Sequence, residues 1–135
     1  MRVAVDAMGG DTGPAVVVPG SLAVLGDADY PDLELVLIGD QARIDPHMSS
    51  LSAEPRARMP VVHTDVEITM KDPPAMAVRR KPNSGVALAL KMIKSGEAAA
   101  VMSLGSSGAV MAGALAILGR VPGVDRPALV TILPT

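Results

Sequence analysis

The sequence predicts an α/β fold, a three-layer α/β/α sandwich around a mostly parallel, doubly wound, Rossmann-like sheet. Three observations carry the prediction. Short apolar runs of strand length alternate with longer segments of helical pattern along the whole chain, which is how parallel sheets with helices on both faces are written. Residues 33–38 and 99–103 are nearly continuous apolar runs, as expected of strands buried on both faces. Two strand candidates run directly into glycine-rich turns, AMGGDTGP and LGSSG, each followed by a helical segment.

Composition narrows the function classes. The chain has 135 residues, of which 49% are apolar, enough for one domain with a real core and incompatible with disorder. It has one Tyr and no Phe or Trp, so the core is built from Val, Leu, Ile, Met and Ala. Stacking platforms for single-stranded nucleic acid are missing, and a net charge of −2 gives nucleic-acid binding no electrostatic support. There are no cysteines, which excludes disulfides, thiolate metal sites and a cysteine nucleophile. The opening residues do not read as a signal peptide, because Arg2 leads straight into a strand pattern that Asp6 interrupts. The uncharged run 98–119 has the length of a membrane span, but Ser103, Gly105, Ser106, Ser107 and Gly108 in its middle argue against one.

Element by element, residues 3–6 form a short strand ending on a carboxylate. Gly9 and Gly10 allow a tight loop, Asp11 reads as a turn or N-cap residue, and Pro14 suits the first turn of a helix over 15–25. Pro19 inside that helix predicts a kink or a late start. A second strand spans 33–38, and 41–47 is one or two helical turns. Residues 48–60, with two prolines, read as a surface connection. A strand at 61–64 follows. Asp72-Pro73-Pro74 opens a helix at Pro74, which ends on the basic run Arg79, Arg80 and Lys81. That run fits a solvated helix C-terminus, and alternatively an anion clamp. Asn83 or Ser84 caps the next helix, whose apolar stripe is Val86, Leu90 and Ile93, with Lys91 and Lys94 facing away and Gly96 as C-cap. His47 and His63 lack metal-ligand spacing, and no internal repeat is visible. The nine methionines read as core filler.

The chain is organised around VMSLGSSGAVMAG, residues 101–113. Residues 99–103 read as an inner strand, 104–108 as a turn, and 109–118 as a helix apolar on all sides and therefore buried. The start of a helix after a parallel strand presents free N–H groups and the positive end of the helix dipole, a ready anion site. A serine-rich turn that merely caps a core helix is the alternative. After the turn-rich segment 119–127, residues 128–133 read as a last apolar strand.

VAVDAMGGD at the start, GVALALKMIKSGEAAAVMS followed by GSSGA, and GRVPGVDRPALVTILPT at the close resemble the phosphate acyltransferases of bacterial phospholipid synthesis. The resemblance spans essentially the whole chain and is weakest over 48–60. The family usually carries S-A-G-N-T-G-A where this chain has Ser103, Leu104, Gly105, Ser106, Ser107, Gly108 and Ala109. The resemblance implies an α/β/α sandwich, homodimers, a cytoplasmic location and peripheral contact with the inner membrane face. It makes residues 1–135 a single α/β domain from the N-terminal part of a longer chain. The implied reaction joins the acyl group of an acyl carrier protein thioester to inorganic phosphate, with no metal or redox cofactor. On this basis Ser103, Gly105, Ser106, Ser107 and Gly108 are candidate phosphate or oxyanion ligands, and Asp6, Gly9, Gly10 and Asp11 form a loop near the site. Arg79, Arg80, Lys81 and Arg126 are candidate contacts for an anion or the carrier protein. A non-catalytic anion-binding module and a CoA-dependent phosphotransacetylase relative remain as alternatives.

Overall fold

Strand β1 (Arg2–Asp6) pairs in parallel with β2 (Glu34–Gly39) on one side and with β4 (Ala100–Ser103) on the other, while β3 (Val61–His63) pairs in parallel with β2. The structure is a computed structural model and describes residues 1–130. Among these residues the sheet has four strands in the order β3-β2-β1-β4. The helices are α1 (Pro14–Leu25), α2 (Gln41–Met48), α3 (Ala53–Ala57), α4 (Pro74–Arg80), α5 (Gly85–Ser95) and α6 (Ser107–Ile117).

Side-chain alternation along the strands builds two cores. On one face Val5, Leu35 and Leu37 pack with Val17, Val18 and Leu25 of α1, Ile44 and Met48 of α2, and Met59. On the other, Ala4, Val36 and Ile38 pack with Ala89 of α5 and with Ala98. A third cluster joins Val78 of α4 to Val86, Ala87 and Leu90 of α5, with Val110, Ala114 and Ile117 of α6 against it. Helices α1 and α2 on one face of the sheet and α5 on the other make the three layers the alternation predicts.

Local chemistry fixes the helix ends. Pro14 stands at the start of α1, where its missing N–H has no helical partner to lose. The helix runs on through Pro19 without a late start. Pro19 and Ala15, whose carbonyl the ring leaves without a helical partner, are both exposed residues. Asp40, Ser84 and Ser106 each accept a backbone N–H as N-caps of α2, α5 and α6, and Gly96 closes α5 in the left-handed conformation. Met48 belongs to α2, and residues 53–57 form α3 where the sequence reads as a plain connection. Pro55 lies in the first turn of α3, where first-turn N–H groups lack helical partners anyway. Arg58 then holds the segment down by donating to the carbonyls of Leu25, Tyr30 and Leu33.

Two further expectations are corrected, those for β4 and α6. β4 is the edge of the described sheet rather than an inner strand: among the described residues nothing pairs with its outer side, and Met102 is exposed. Helix α6 buries only Ala109 and Gly113. One side packs on α4 and α5, and Leu115 and Leu118 are left exposed. Asp11 is an exposed turn residue, one of the two roles expected for it, and Gly13 takes the N-cap position of α1. Of the strand expected at 128–133, Ala128, Leu129 and Val130 are exposed and outside any strand, and 131–133 lie outside the described residues.

The chain runs from β1 through β2 to β3 and then crosses to the far side of β1 to form β4. The topological switch point therefore lies between β1 and β4, and in open α/β sheets ligands bind beyond the carboxyl ends of the strands at that point.

Candidate anion-binding site

A cleft of about 540 Å³ opens at this switch point. Its first wall is the loop after β1, contributing Met8, Gly10, Asp11 and Gly13. The second is the turn after β4, contributing Leu104, Gly105 and Ser106. Residues Glu67, Ile68, Thr69 and Met70, between β3 and α4, form a third side, and Arg43 of α2 closes the rim. Gly10 has φ +80, a conformation L side chains rarely adopt.

The first two walls touch. A Cβ on Gly9 would lie 2.7 Å from the Gly105 nitrogen, 3.0 Å from Asp6 Oδ2 and 3.0 Å from Ser103 Oγ, so only glycine allows this approach. Beneath it, Ser103 Oγ donates to Asp6 Oδ2 at 2.7 Å, and the Gly105 N–H donates to Ser103 Oγ at 3.1 Å. Asp6 Oδ1 accepts the Met8 N–H at 3.3 Å. Burial pushes the Asp6 carboxyl above the usual carboxylate range. The hydrogen bonds from Ser103 and Met8 work against that shift, and the charge of Glu67 adds to it.

The candidate residues separate into groups. Gly10, Asp11, Gly105 and Ser106 line the cleft, and Asp6, Gly9 and Ser103 lie directly beneath its two main walls. Ser106 Oγ accepts the Ala109 N–H at 3.3 Å as the cap of α6. The N–H groups of Ser107 and Gly108 have no acceptor among the described residues, as first-turn groups should not. Arg79 and Arg80 are exposed at the end of α4 and do not line the cleft. Lys81 acts as a strut: its Nζ donates to Asp72 Oδ2 at 2.8 Å and to the Glu67 carbonyl at 2.8 Å. That pairing, with hydrogen bonds from Thr69, holds the Asp72 carboxyl down to about 2. Arg126 is exposed in the turn-rich segment and does not line the cleft.

Sequence reasoning missed Arg43 and 67–70. Arg43 is the one cation among the residues lining the cleft, and it donates to Glu67 at 3.1 Å. No spacing signal links a residue of α2 to a turn more than twenty positions on. Among the described residues no group of three His, Asp or Glu side chains is placed to hold a metal ion, and no helix is long and apolar enough to cross a membrane.

Arg43, paired with Glu67, the carboxylate of Asp11, and the Thr69 and Ser106 side chains surround the switch-point crevice of an open parallel α/β sheet. Comparison with known proteins sharpens the class. The chain belongs to the family described as "Fatty acid synthesis protein", whose profile matches residues 1–135. It is 45% identical over 134 residues to a protein named phosphate acyltransferase from Shewanella amazonensis, covering 99% of this chain and 39% of that relative. It is 43% identical over 135 residues to the phosphate acyltransferase of Moorella thermoacetica, covering 100% of this chain and 38% of the relative. For the Listeria innocua protein of the same name the identity is 42% over 135 residues, with 100% and 38% covered. The chain thus spans about two fifths of the length of these relatives.

Proposed function

We propose that the protein to which this chain belongs is a phosphate acyltransferase that moves an acyl group from acyl carrier protein to inorganic phosphate. The observation that carries this reading is the identity of 42–45% over the whole chain to proteins named for that activity. The cleft supports it. The reaction breaks the thioester C–S bond and forms a bond from a phosphate oxygen to the acyl carbon. The thiolate leaves with the proton that phosphate gives up. Phosphate is itself the nucleophile and the thioester is already activated, so the protein chiefly has to position the two reactants. Positioning supplies roughly 7–11 kcal/mol in favourable cases, and each oxyanion donor about 3–4 kcal/mol.

In this scheme the free N–H groups of Ser107 and Gly108, the hydroxyls of Ser106 and Ser107, and Arg43 hold phosphate. The carrier docks on the rim, where Arg79 and Arg80 offer exposed positive charge. The intact protein is a homodimer of the bacterial cytoplasm that contacts the membrane peripherally. This chain alone binds phosphate, self-associates through exposed apolar residues such as Leu129 and Val130, and transfers acyl groups slightly or not at all.

The test joins this chain to the remaining sequence of the Moorella thermoacetica relative and follows thiol release from an acyl carrier protein thioester. Release that rises with phosphate concentration supports the reading. Release independent of phosphate, or equally fast with acyl-CoA and slow with the carrier, removes it.

A further inference from the structure

We propose that Asp6 is a positioning residue that sets the direction of the Ser103 hydroxyl, and through it the turn that faces the anion cleft; the proposal rests on the anion-cleft reading above. Asp6 is only 6% exposed. Its carboxylate is enclosed by two glycines, since a Cβ on Gly85 would lie 2.6 Å from Oδ1 and one on Gly9 3.0 Å from Oδ2. Burying a charge is expensive unless it is paired or hydrogen-bonded, and Asp6 accepts hydrogen bonds from Ser103 and from the Met8 N–H. An ionised carboxylate only accepts hydrogen bonds. With Asp6 ionised, the single hydrogen of Ser103 Oγ points at Asp6, and an Oγ lone pair accepts the Gly105 N–H. The three groups form a directed chain, from Gly105 N–H to Ser103 to Asp6, across 97 positions of sequence. It fastens the turn after β4 to the end of β1 and fixes where α6 begins, with its free N–H groups at Ser107 and Gly108.

Asparagine would match the shape and reverse the chain. In Asp6→Asn, the side-chain oxygen can accept the Met8 N–H while the amide donates to Ser103 Oγ, whose own hydrogen then has to turn away from position 6 and reorient the lone pair that meets the Gly105 N–H. The experiment compares the parent chain with Asp6→Asn, Ser103→Ala and the double variant. Two readouts are taken, inorganic phosphate affinity by calorimetry and hydrogen exchange of the Gly105 amide by NMR. Each single variant should weaken phosphate binding about tenfold and speed Gly105 exchange. The double variant should be no worse than the weaker single one, because both act through one link. A folded Asp6→Asn with parental affinity and parental Gly105 exchange overturns the proposal, as do effects that multiply. Should Asp6→Asn fail to fold, Ser103→Ala decides: parental values in both readouts overturn it. A parent chain that ignores phosphate removes the functional reading of this chain, and Gly105 exchange in Asp6→Asn still decides the link: faster supports it, unchanged overturns it.

Discussion

Gly9→Ala is the smallest change that separates the two walls of the cleft. The added methyl meets the Gly105 nitrogen at 2.7 Å, Asp6 Oδ2 at 3.0 Å and Ser103 Oγ at 3.0 Å. None of these is the loose end of a flexible side chain. The first is backbone, and the other two are bonded to each other. Inserting a methyl into a packed site costs about 1–3 kcal/mol, and with no neighbour free to give way the upper end applies. At about 3–4 °C per kcal/mol for a chain of this size, Tm falls by roughly 10 °C. Gly105→Ala is the control, because its nearest contact is Ser103 Oγ at 3.3 Å, and it should cost clearly less. Thermal unfolding followed by circular dichroism, with phosphate calorimetry on the folded variants, measures both effects. A Gly9→Ala chain that melts with its parent and binds phosphate equally well would refute the close approach of the two loops.

Gly20→Ala should act in the opposite direction: it lies within α1 with nothing within 4 Å of the new methyl, so chemical denaturation should show a gain of about 0.5–1 kcal/mol. Ser84→Ala removes the buried cap of α5 and should lose about 1 kcal/mol in the same experiment. The Asp72 carboxyl sits at about 2 against an ordinary 3.8. Its contribution to stability is therefore present above pH 4 and lost as pH falls through about 2, so the Tm difference between parent and Asp72→Asn should close over that window. Asp6 has the opposite sign. Burial and the facing Glu67 raise its carboxyl, so parental stability declines as pH climbs past the ordinary carboxylate range, and Asp6→Asn should flatten that decline.

Signals confined to a few neighbouring residues were legible in the sequence. Strand–turn–helix alternation gave the parallel sheet, Pro14 and Pro74 marked helix starts, and Ser84 and Gly96 bracketed α5 as expected. What depends on distant partners was not. An apolar strand looks the same inside a sheet or at its edge, and β4 is placed by what pairs beside it. The same holds for α6, whose uniform apolarity hides that only one side meets α4 and α5. The short helix α3 was obscured by Pro55, a residue that breaks helices in general but is harmless in a first turn. At the site, the glycines and serines announced the turn. That the Ser103 hydroxyl and the Gly105 N–H are already occupied by each other and by Asp6 follows only from the pairing of β1 with β4. The wall made by 67–70 rests on Lys81, which the sequence shows only as part of a basic run.

The most direct test of the account is a phosphate titration of the 15N-labelled chain followed by amide NMR. Saturable shifts should centre on Gly10, Ser107 and Gly108, with the Arg43 side chain responding, and a Ser106→Ala, Ser107→Ala double variant should bind more weakly. Shifts centred on Arg79, Arg80 and Lys81 with the cleft silent, or double-variant affinity equal to the parent's, would contradict a phosphate site at the start of α6.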